Sequence, residues 1–333
     1  MALPLADTGF AEAAWVMVVK SVVIFAAVFA VVPLLTVLER KLIGRFQNRY
    51  GPNRVGPFGI LQPLADVGKL VGKQPFQPQN AVVTLYVLGP ALMVFSAVLA
   101  LAIIPFGDVK DGVGFYGMDV SIGILYFFAA GSIGFYGLLL GGWASGSKYS
   151  FLGAMRSAAQ LISYEVSMGL ALLGVVMMAG SLSLVDIVRE QNQVWFIVPQ
   201  LVGFLIFMVA GFAETNRAPF DLPEADAELV QGFMTEYGGM RFGTFLLVEY
   251  LEMTVVAGIA AAMFLGGWMG PGPGFLDPLW MAAKIFILLI FFIWVRATLP
   301  RLRYDQLMSL GWKVLLPLAT INVLVTAVLV VVL

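Results

Sequence analysis

The 333-residue sequence contains no cysteine and no histidine. Without thiolate or imidazole, the chain cannot itself ligate an iron–sulfur cluster, a haem or a catalytic zinc in the usual ways. Ser–His–Asp and Cys–His nucleophilic chemistry is excluded for the same reason. No disulfide exists, so cysteine says nothing about the redox compartment. Charge is also scarce. Asp, Glu, Lys and Arg make up 12% of the chain, about half of the roughly 25% typical of soluble domains. The net charge of −1 provides no global basic field for nucleic acid. What remains for chemistry is carboxylates, arginine, lysine, tyrosine and backbone.

What is abundant is apolar surface. Hydrophobic residues are 60% of the chain and the mean hydropathy is +0.93. One soluble core of this size cannot hide that much, so the chain reads as an integral membrane protein with several spans. Eight apolar runs are long enough to be spans: 15–38, 80–104, 120–142, 158–180, 194–213, 244–266, 279–299 and 314–332. They are continuous, without the short alternating segments of a membrane β-barrel. The expected fold is all-α: a polytopic membrane helix bundle of about eight transmembrane helices plus one in-plane amphipathic helix, with residues 1–333 forming a single integral membrane domain. Residues 1–14 hold two acids and no base, the wrong opening for a cleaved signal peptide, so the first run is expected to be a retained span.

Basic residues orient the bundle. The connections after runs one, three, five and seven, with Arg296 at the end of run seven, hold 15 of the 19 Lys and Arg, which makes that side cytoplasmic or its organellar equivalent and puts both termini on the far side. Lys110 and Arg189 lie in the outer connections. Lys20 and Lys284 lie in runs near their outer ends, where they can snorkel to the outer interface.

The long inner connections, 39–79 and 214–243, carry most of the chemistry-bearing residues. In the first, Arg40, Lys41, Arg45, Arg49 and Arg54 suit anionic headgroups, and the Gly-Pro pairs at 51–52 and 56–57 force turns. Ile60, Leu61, Leu64, Val67, Leu70 and Val71 then recur at helical spacing, which predicts a helix lying in the membrane plane. Anchoring accounts for this loop, and so does a membrane-level gate for an amphiphilic ligand. Glu39 and Arg40 end the first run, where the two are expected to neutralise each other beside a cavity.

The second inner loop packs six carboxylates (Glu214, Asp221, Glu224, Asp226, Glu228 and Glu236) around a single Arg217. Asp221 with Glu224 three residues later predicts a capping box. The apolar neighbours Phe220, Leu222, Leu229, Phe233 and Met234 imply partial burial. Close, partly buried carboxylates exchange protons near neutral pH and titrate as a set. Within the runs stand Glu165, and Glu249 with Glu252 at i, i+3. Intramembrane acids usually face a watery interior and mark proton or ion paths. An interhelical hydrogen bond is the simpler alternative. Glu214, Glu165 and Glu249 are expected to line a carboxylate path from the inner loop into the bundle. In the last inner loop Pro300 ends a helix, Arg303 and Asp305 are placed to pair, and Arg296 lies deepest, beside a polar cavity.

Segments 39–57, Gly142-Trp143-Ala144-Ser145, 213–237 and 296–313 resemble the signatures of one membrane-subunit family of NADH–quinone oxidoreductase (respiratory complex I): the bacterial H subunits, whose mitochondrial counterparts are called subunit 1. The resemblance covers nearly the whole chain. It implies a membrane subunit that joins the membrane arm to the peripheral arm, forms much of the quinone tunnel and couples quinone reduction to proton translocation. It assigns the tunnel to Glu39, Arg40, Arg49, Arg296, Phe233, Met234 and Tyr237. It assigns proton coupling to Glu214, Glu165, Glu249, Asp221, Glu224, Asp226 and Glu228. Asp226 stands where the family pattern has Glu, one methylene longer. The implied substrate is a quinone, ubiquinone first. Iron–sulfur clusters and FMN belong to partner subunits, and the implied partners are those peripheral-arm subunits, small neighbouring membrane subunits and lipid. The implied location is the bacterial plasma membrane, or the mitochondrial inner membrane for an organellar chain. Two alternatives stay open: the equivalent subunit of a membrane-bound hydrogenase or other related dehydrogenase, and a stand-alone proton-coupled solute carrier.

Overall fold

The computed structural model describes residues 14–110, 113–223 and 226–332; a few side chains within these ranges, Asp226 among them, lie outside the description. The helices, in chain order, are α1 (Ala14–Phe46), α2 (Gln62–Gly72), α3 (Val83–Ala102), α4 (Gly123–Ala144), α5 (Lys148–Ala179), α6 (Leu184–Glu190), α7 (Leu201–Glu214), α8 (Asp226–Leu229), α9 (Met240–Phe264), α10 (Asp277–Thr298), α11 (Tyr304–Leu310) and α12 (Leu316–Val332). A π-helical stretch, Gly311–Leu315, joins the last two into one rod. Among the described residues seven helices are long and apolar enough to cross a membrane, which makes the chain a polytopic helical membrane bundle.

The run at 194–213 departs from the expectation of a full eighth span. Only α7, 14 residues, is helical there. At about 1.5 Å per residue it covers about 21 Å of a roughly 30 Å hydrocarbon core. Pro199 has no N–H and disfavours helix at the residue before it. The preceding segment folds onto α9 instead. The Ile197 N–H donates to the Phe264 carbonyl at 2.9 Å, and Gln191 Oε1 accepts the N–H groups of Phe196 (3.2 Å) and Gly266 (2.9 Å). The end of the bundle where α1 begins also holds an unforeseen hairpin, β1 (Pro105–Lys110) antiparallel to β2 (Val113–Tyr116), with Val109 opposite Gly114. Lys20 and Lys284 end on backbone carbonyls. Lys20 Nζ donates to the Gly114 carbonyl at 3.2 Å, and Lys284 Nζ donates to the carbonyls of Gly267 (2.8 Å) and Met269 (2.7 Å).

The bundle is built around α9. From Met253 to Phe264 every residue of this helix is buried, the pattern of a helix surrounded by protein on all sides. By contrast α1 leaves Trp15, Val18, Val19, Val22 and Val23 exposed, an outward face that suits lipid. The opposite edge holds α2, where an amphipathic helix was expected. Its Leu64, Val67 and Val71 are exposed, while Leu70 reaches α9, where a Cβ on Gly243 would meet Leu70 Cδ1 at 2.9 Å.

Small residues set how closely α3 and α4 approach. A Cβ on Gly89 would lie 2.8 Å from Gly141 Cα and 2.9 Å from the Gly137 carbonyl oxygen. In α2, a Cβ on Gly68 would meet nothing within 4 Å. Gly68→Ala is therefore expected to raise the midpoint of thermal unfolding in detergent, through about 0.5–1 kcal/mol of helix propensity. Gly89→Ala is expected to lower it, through about 1–3 kcal/mol of overpacking. The opposite order of the two midpoints would contradict the packing described.

Candidate functional site

The site begins with one buried cation. Arg217 follows α7 in a loop whose shape is fixed by Gln160 of α5: its Nε2 donates to the carbonyls of Ala213 (2.7 Å) and Phe220 (2.9 Å). Asn216 adopts a left-handed backbone, φ 50°, and the Arg217 N–H returns to the Phe212 carbonyl at 3.3 Å. The guanidinium is thereby turned into the bundle. Arg217 Nη1 donates to both carboxylate oxygens of Glu39, at 2.8 and 3.1 Å. Its Nε contacts Glu249 of α9, and the group lies over the Tyr250 ring at 4.5 Å. Arg296, near the inner end of α10, also bonds Glu39. Glu39 is 3% exposed, Arg217 4% and Arg296 38%. Burial works against the Arg217 charge, but Glu249 and Glu39 outweigh it and raise its pKa. Two acids and two bases, drawn from α1, the loop after α7, α9 and α10, therefore neutralise one another.

Glu39 and Arg40 do not pair, contrary to expectation. Consecutive helical residues point about 100° apart. Glu39 turns inward, while Arg40 turns outward to Asp66 of α2 at 2.7 Å. Lys69 also holds Asp66, at 2.6 Å. Burial of Asp66 opposes its charge, but Lys69 and Arg40 together hold its pKa below the usual range. The first inner loop is thus pinned back onto α1. Arg49 is exposed on that loop, its Nε on Gln47 at 2.8 Å.

A second group of acids lies deeper. Glu214 at the end of α7 and Glu252 of α9 line a narrow cavity of about 40 Å³ with Ser96, Gly131, Gly134 and Asn216. Such a volume holds water where polar groups converge. Two glycines of α4 make the space. A Cβ on Gly131 would lie 3.5 Å from Glu214 Oε1, and one on Gly134 would lie 2.7 Å from Ser96 Oγ and 3.9 Å from Glu252 Oε1. Glu165 interacts electrostatically with Glu214, and Glu252 with both Glu214 and Glu249. The acids thus run Glu165, Glu214, Glu252, Glu249 and end at Arg217. Glu252 completes this series; the sequence shows it three residues from Glu249, but the expected path ran only through Glu214, Glu165 and Glu249. Arg217 had been given no role. Its signal was its isolation, as the one base among the six carboxylates of 214–236.

The remaining candidates fall elsewhere. Asp221 interacts electrostatically with Glu249. It does not cap a helix, because turns follow it and α8 begins only at Asp226. Glu224 lies outside the described residues, as does the side chain of Asp226. Glu228 is on the surface, paired with Arg156 of α5 at 2.5 Å. The Arg156 guanidinium holds its carboxyl below the usual range. Phe233, Met234 and Tyr237 are buried. Tyr237 stacks on Tyr86 with ring centroids 4.2 Å apart, and its hydroxyl meets the carbonyls of Tyr86 and Gly141, both at 3.1 Å. Arg303 pairs with Asp305 at 2.7 Å, as expected. An apolar groove of about 490 Å³ runs between α1, α9 and α10, lined by residues including Val28, Val31, Leu35, Ile285 and Leu289. Leu35 is one helical turn from Glu39.

A family model described as NADH dehydrogenase matches residues 19–327. A protein of Syntrophobacter fumaroxidans, named as a second H subunit of NADH-quinone oxidoreductase, is 53% identical over 319 residues, covering 93% of this chain and 95% of that protein. One of the same name from Geobacter sulfurreducens is 53% identical over 312 residues, covering 92% and 94%. The NADH-quinone oxidoreductase H subunit of Thermomicrobium roseum is 50% identical over 304 residues, covering 87% and 88%. A match along almost the whole bundle, inner loops included, makes this chain a member of the NADH dehydrogenase family to which these H subunits belong.

Proposed function

We propose that this chain, acting as one membrane unit, is the subunit of a proton-translocating NADH:quinone oxidoreductase that admits the quinone and couples its reduction to proton movement. The observation that carries the reading is the continuity of the buried charges. Four carboxylates from α5, α7 and α9 surround or adjoin a water-sized cavity, and they end at the neutralised cluster of Arg217, Glu39, Glu249 and Arg296.

The quinone tail is an apolar chain, and the groove below Glu39 offers it an apolar wall. The head group is polar. Arg296, half-exposed beside Glu39, is the side chain suited to meet it at the inner end of that groove, with Arg40 and Arg49 on the loop outside. Phe233, Met234 and Tyr237 shape the wall behind the acidic loop. Reduction of a quinone to quinol takes two electrons and two protons. The electrons come from centres on partner subunits, since a chain without Cys or His has no ligands for an iron–sulfur cluster. A charge change at the head group acts first on Arg296 and Glu39. It then passes through Arg217 to Glu249, and on to Glu252, Glu214 and Glu165. Asp221, Glu224, Asp226 and Glu228 supply acidity on the inner face from which protons are drawn. The partners are the peripheral-arm subunits and the small membrane subunits, and the setting is the bacterial plasma membrane or the mitochondrial inner membrane, with the termini on the outer side.

Glu214→Gln keeps the shape of the side chain and removes its proton exchange. The complex is expected to assemble, seen by native gel migration, while proton-coupled quinone reduction falls by about tenfold or more, the scale of losing a positioned proton-transfer group. Full coupled activity in that variant would take Glu214 out of the route. Arg296→Ala leaves Glu39 paired with Arg217. It is expected to raise the apparent KM for quinone about tenfold, with assembly preserved, as for the loss of one charge-assisted contact. An unchanged KM would remove Arg296 from the head-group path.

A further inference from the structure

Arg241 stands apart from the acidic cluster. It is the second residue of α9, at the inner edge of the bundle. Its guanidinium lies over the Tyr86 ring, 5.2 Å from the centroid. Tyr86 is itself anchored, its hydroxyl donating to the Glu236 carbonyl at 2.6 Å. Among the described residues no carboxylate pairs with Arg241, whereas Arg40, Arg156, Arg217, Arg296 and Arg303 each have one. Arg241 Nη1 is buried without a hydrogen-bond partner, an arrangement whose usual cost is large enough that a partner is expected.

Arg241 heads an outward-facing groove of about 230 Å³ between α3 and α9, lined by Val87, Pro90, Ala91, Val94, Met240 and Thr244. Val87 and Met240 are exposed. The groove is apolar along its length and cationic at its inner end. The C-terminal end of α2 abuts that end, and a Cβ on Gly239 would lie 3.2 Å from the Lys73 carbonyl. Lys73 adds a positive charge there, and Glu236 is the acid within electrostatic reach of the Tyr86 ring. The first turn of α9 holds no acid, so the positive end of its dipole adds to the same field.

We propose that this is a phospholipid site: an anionic headgroup of the inner leaflet binds at Arg241, and one acyl chain lies in the groove between α3 and α9. Charge complementarity selects the occupant. A fork of N–H donors at headgroup depth matches a phosphate, and inner-leaflet anionic lipid is the phosphate source at that depth. An apolar helix of a neighbouring subunit would fill the groove but leave Arg241 without an anion. The site stands apart from the quinone route and does not depend on it.

The test uses the assembled complex, purified in mild detergent and incubated with phosphatidylglycerol that carries a photoreactive group midway along one acyl chain. Labelling is expected on α3 near Ala91 and Val94. Arg241→Gln should reduce it about fivefold, the contribution of about one basic charge at an anionic surface. Arg241→Lys should keep most of it. Ala91→Trp, which fills the groove and leaves Arg241 in place, should also reduce it, with the complex migrating normally on a native gel. Phosphatidylcholine carrying the same group should label less than phosphatidylglycerol. Equal labelling in wild type, Arg241→Gln and Ala91→Trp would overturn the proposal. So would failure of phosphatidylglycerol to label α3 while Cys placed at Ala91 cross-links to a neighbouring subunit. That last arm is clean because the chain has no cysteine of its own.

Discussion

The contact on which the other features depend is the buried bond between Arg217 and Glu39. A charge taken out of water costs several kcal/mol, and breaking a buried pair from one side costs about 3–5 kcal/mol. Neither residue can therefore be buried alone. Glu39 comes from the inner end of α1 and Arg217 from the loop after α7, 178 residues away. Glu249 and Arg296 join from α9 and α10, so the cluster is neutral as a whole. It draws four parts of the chain together at one point. Residues between those parts are placed by it: the acidic loop is held inward, Glu252 is set one turn from Glu249, and Leu35 of the apolar groove lies one turn from Glu39.

A neutral cluster also gives the site its responsiveness. Its charges balance with little to spare, so a change on any member is felt by the others in a medium where Coulomb interactions are weakly screened. The cavity next to it is kept open by missing side chains, those of Gly131 and Gly134 on α4. Closely packed α3 and α4 provide the rigid wall against which Glu214 and Glu252 face each other.

Much of this was legible in the sequence. Long apolar runs gave seven of the eight expected spans. Helical spacing from Ile60 to Val71 gave the in-plane helix. The acids at 165, 214 and 249 stood out because they are costly in apolar surroundings. What was not legible depended on direction or on distant partners. Glu39 and Arg40 looked like a pair because they are adjacent, but adjacency in a helix separates side chains. Glu39 instead finds Arg217, and no local pattern links positions 178 residues apart. Glu252 was visible as a neighbour of Glu249, but its role depends on the cavity that α4 leaves. The hairpin was hidden within a short, glycine-rich connection between two apolar runs. Pro199 was the mark against a full helix at 194–213.

The central claim is that neutrality of the Arg217 cluster holds the inner side of the bundle together, and a double-mutant cycle on assembly tests it most directly. Glu39→Gln, Arg217→Gln and the double variant are compared for the amount of complex formed on native gels. Arg217→Gln leaves Glu39 and Glu249 facing Arg296 alone, so assembly should fall sharply. Adding Glu39→Gln leaves Glu249 and Arg296, one charge of each sign, and assembly should recover well above the Arg217→Gln level, with a coupling of about 0.5–3 kcal/mol. A double variant that assembles no better than the two losses added together would contradict the account.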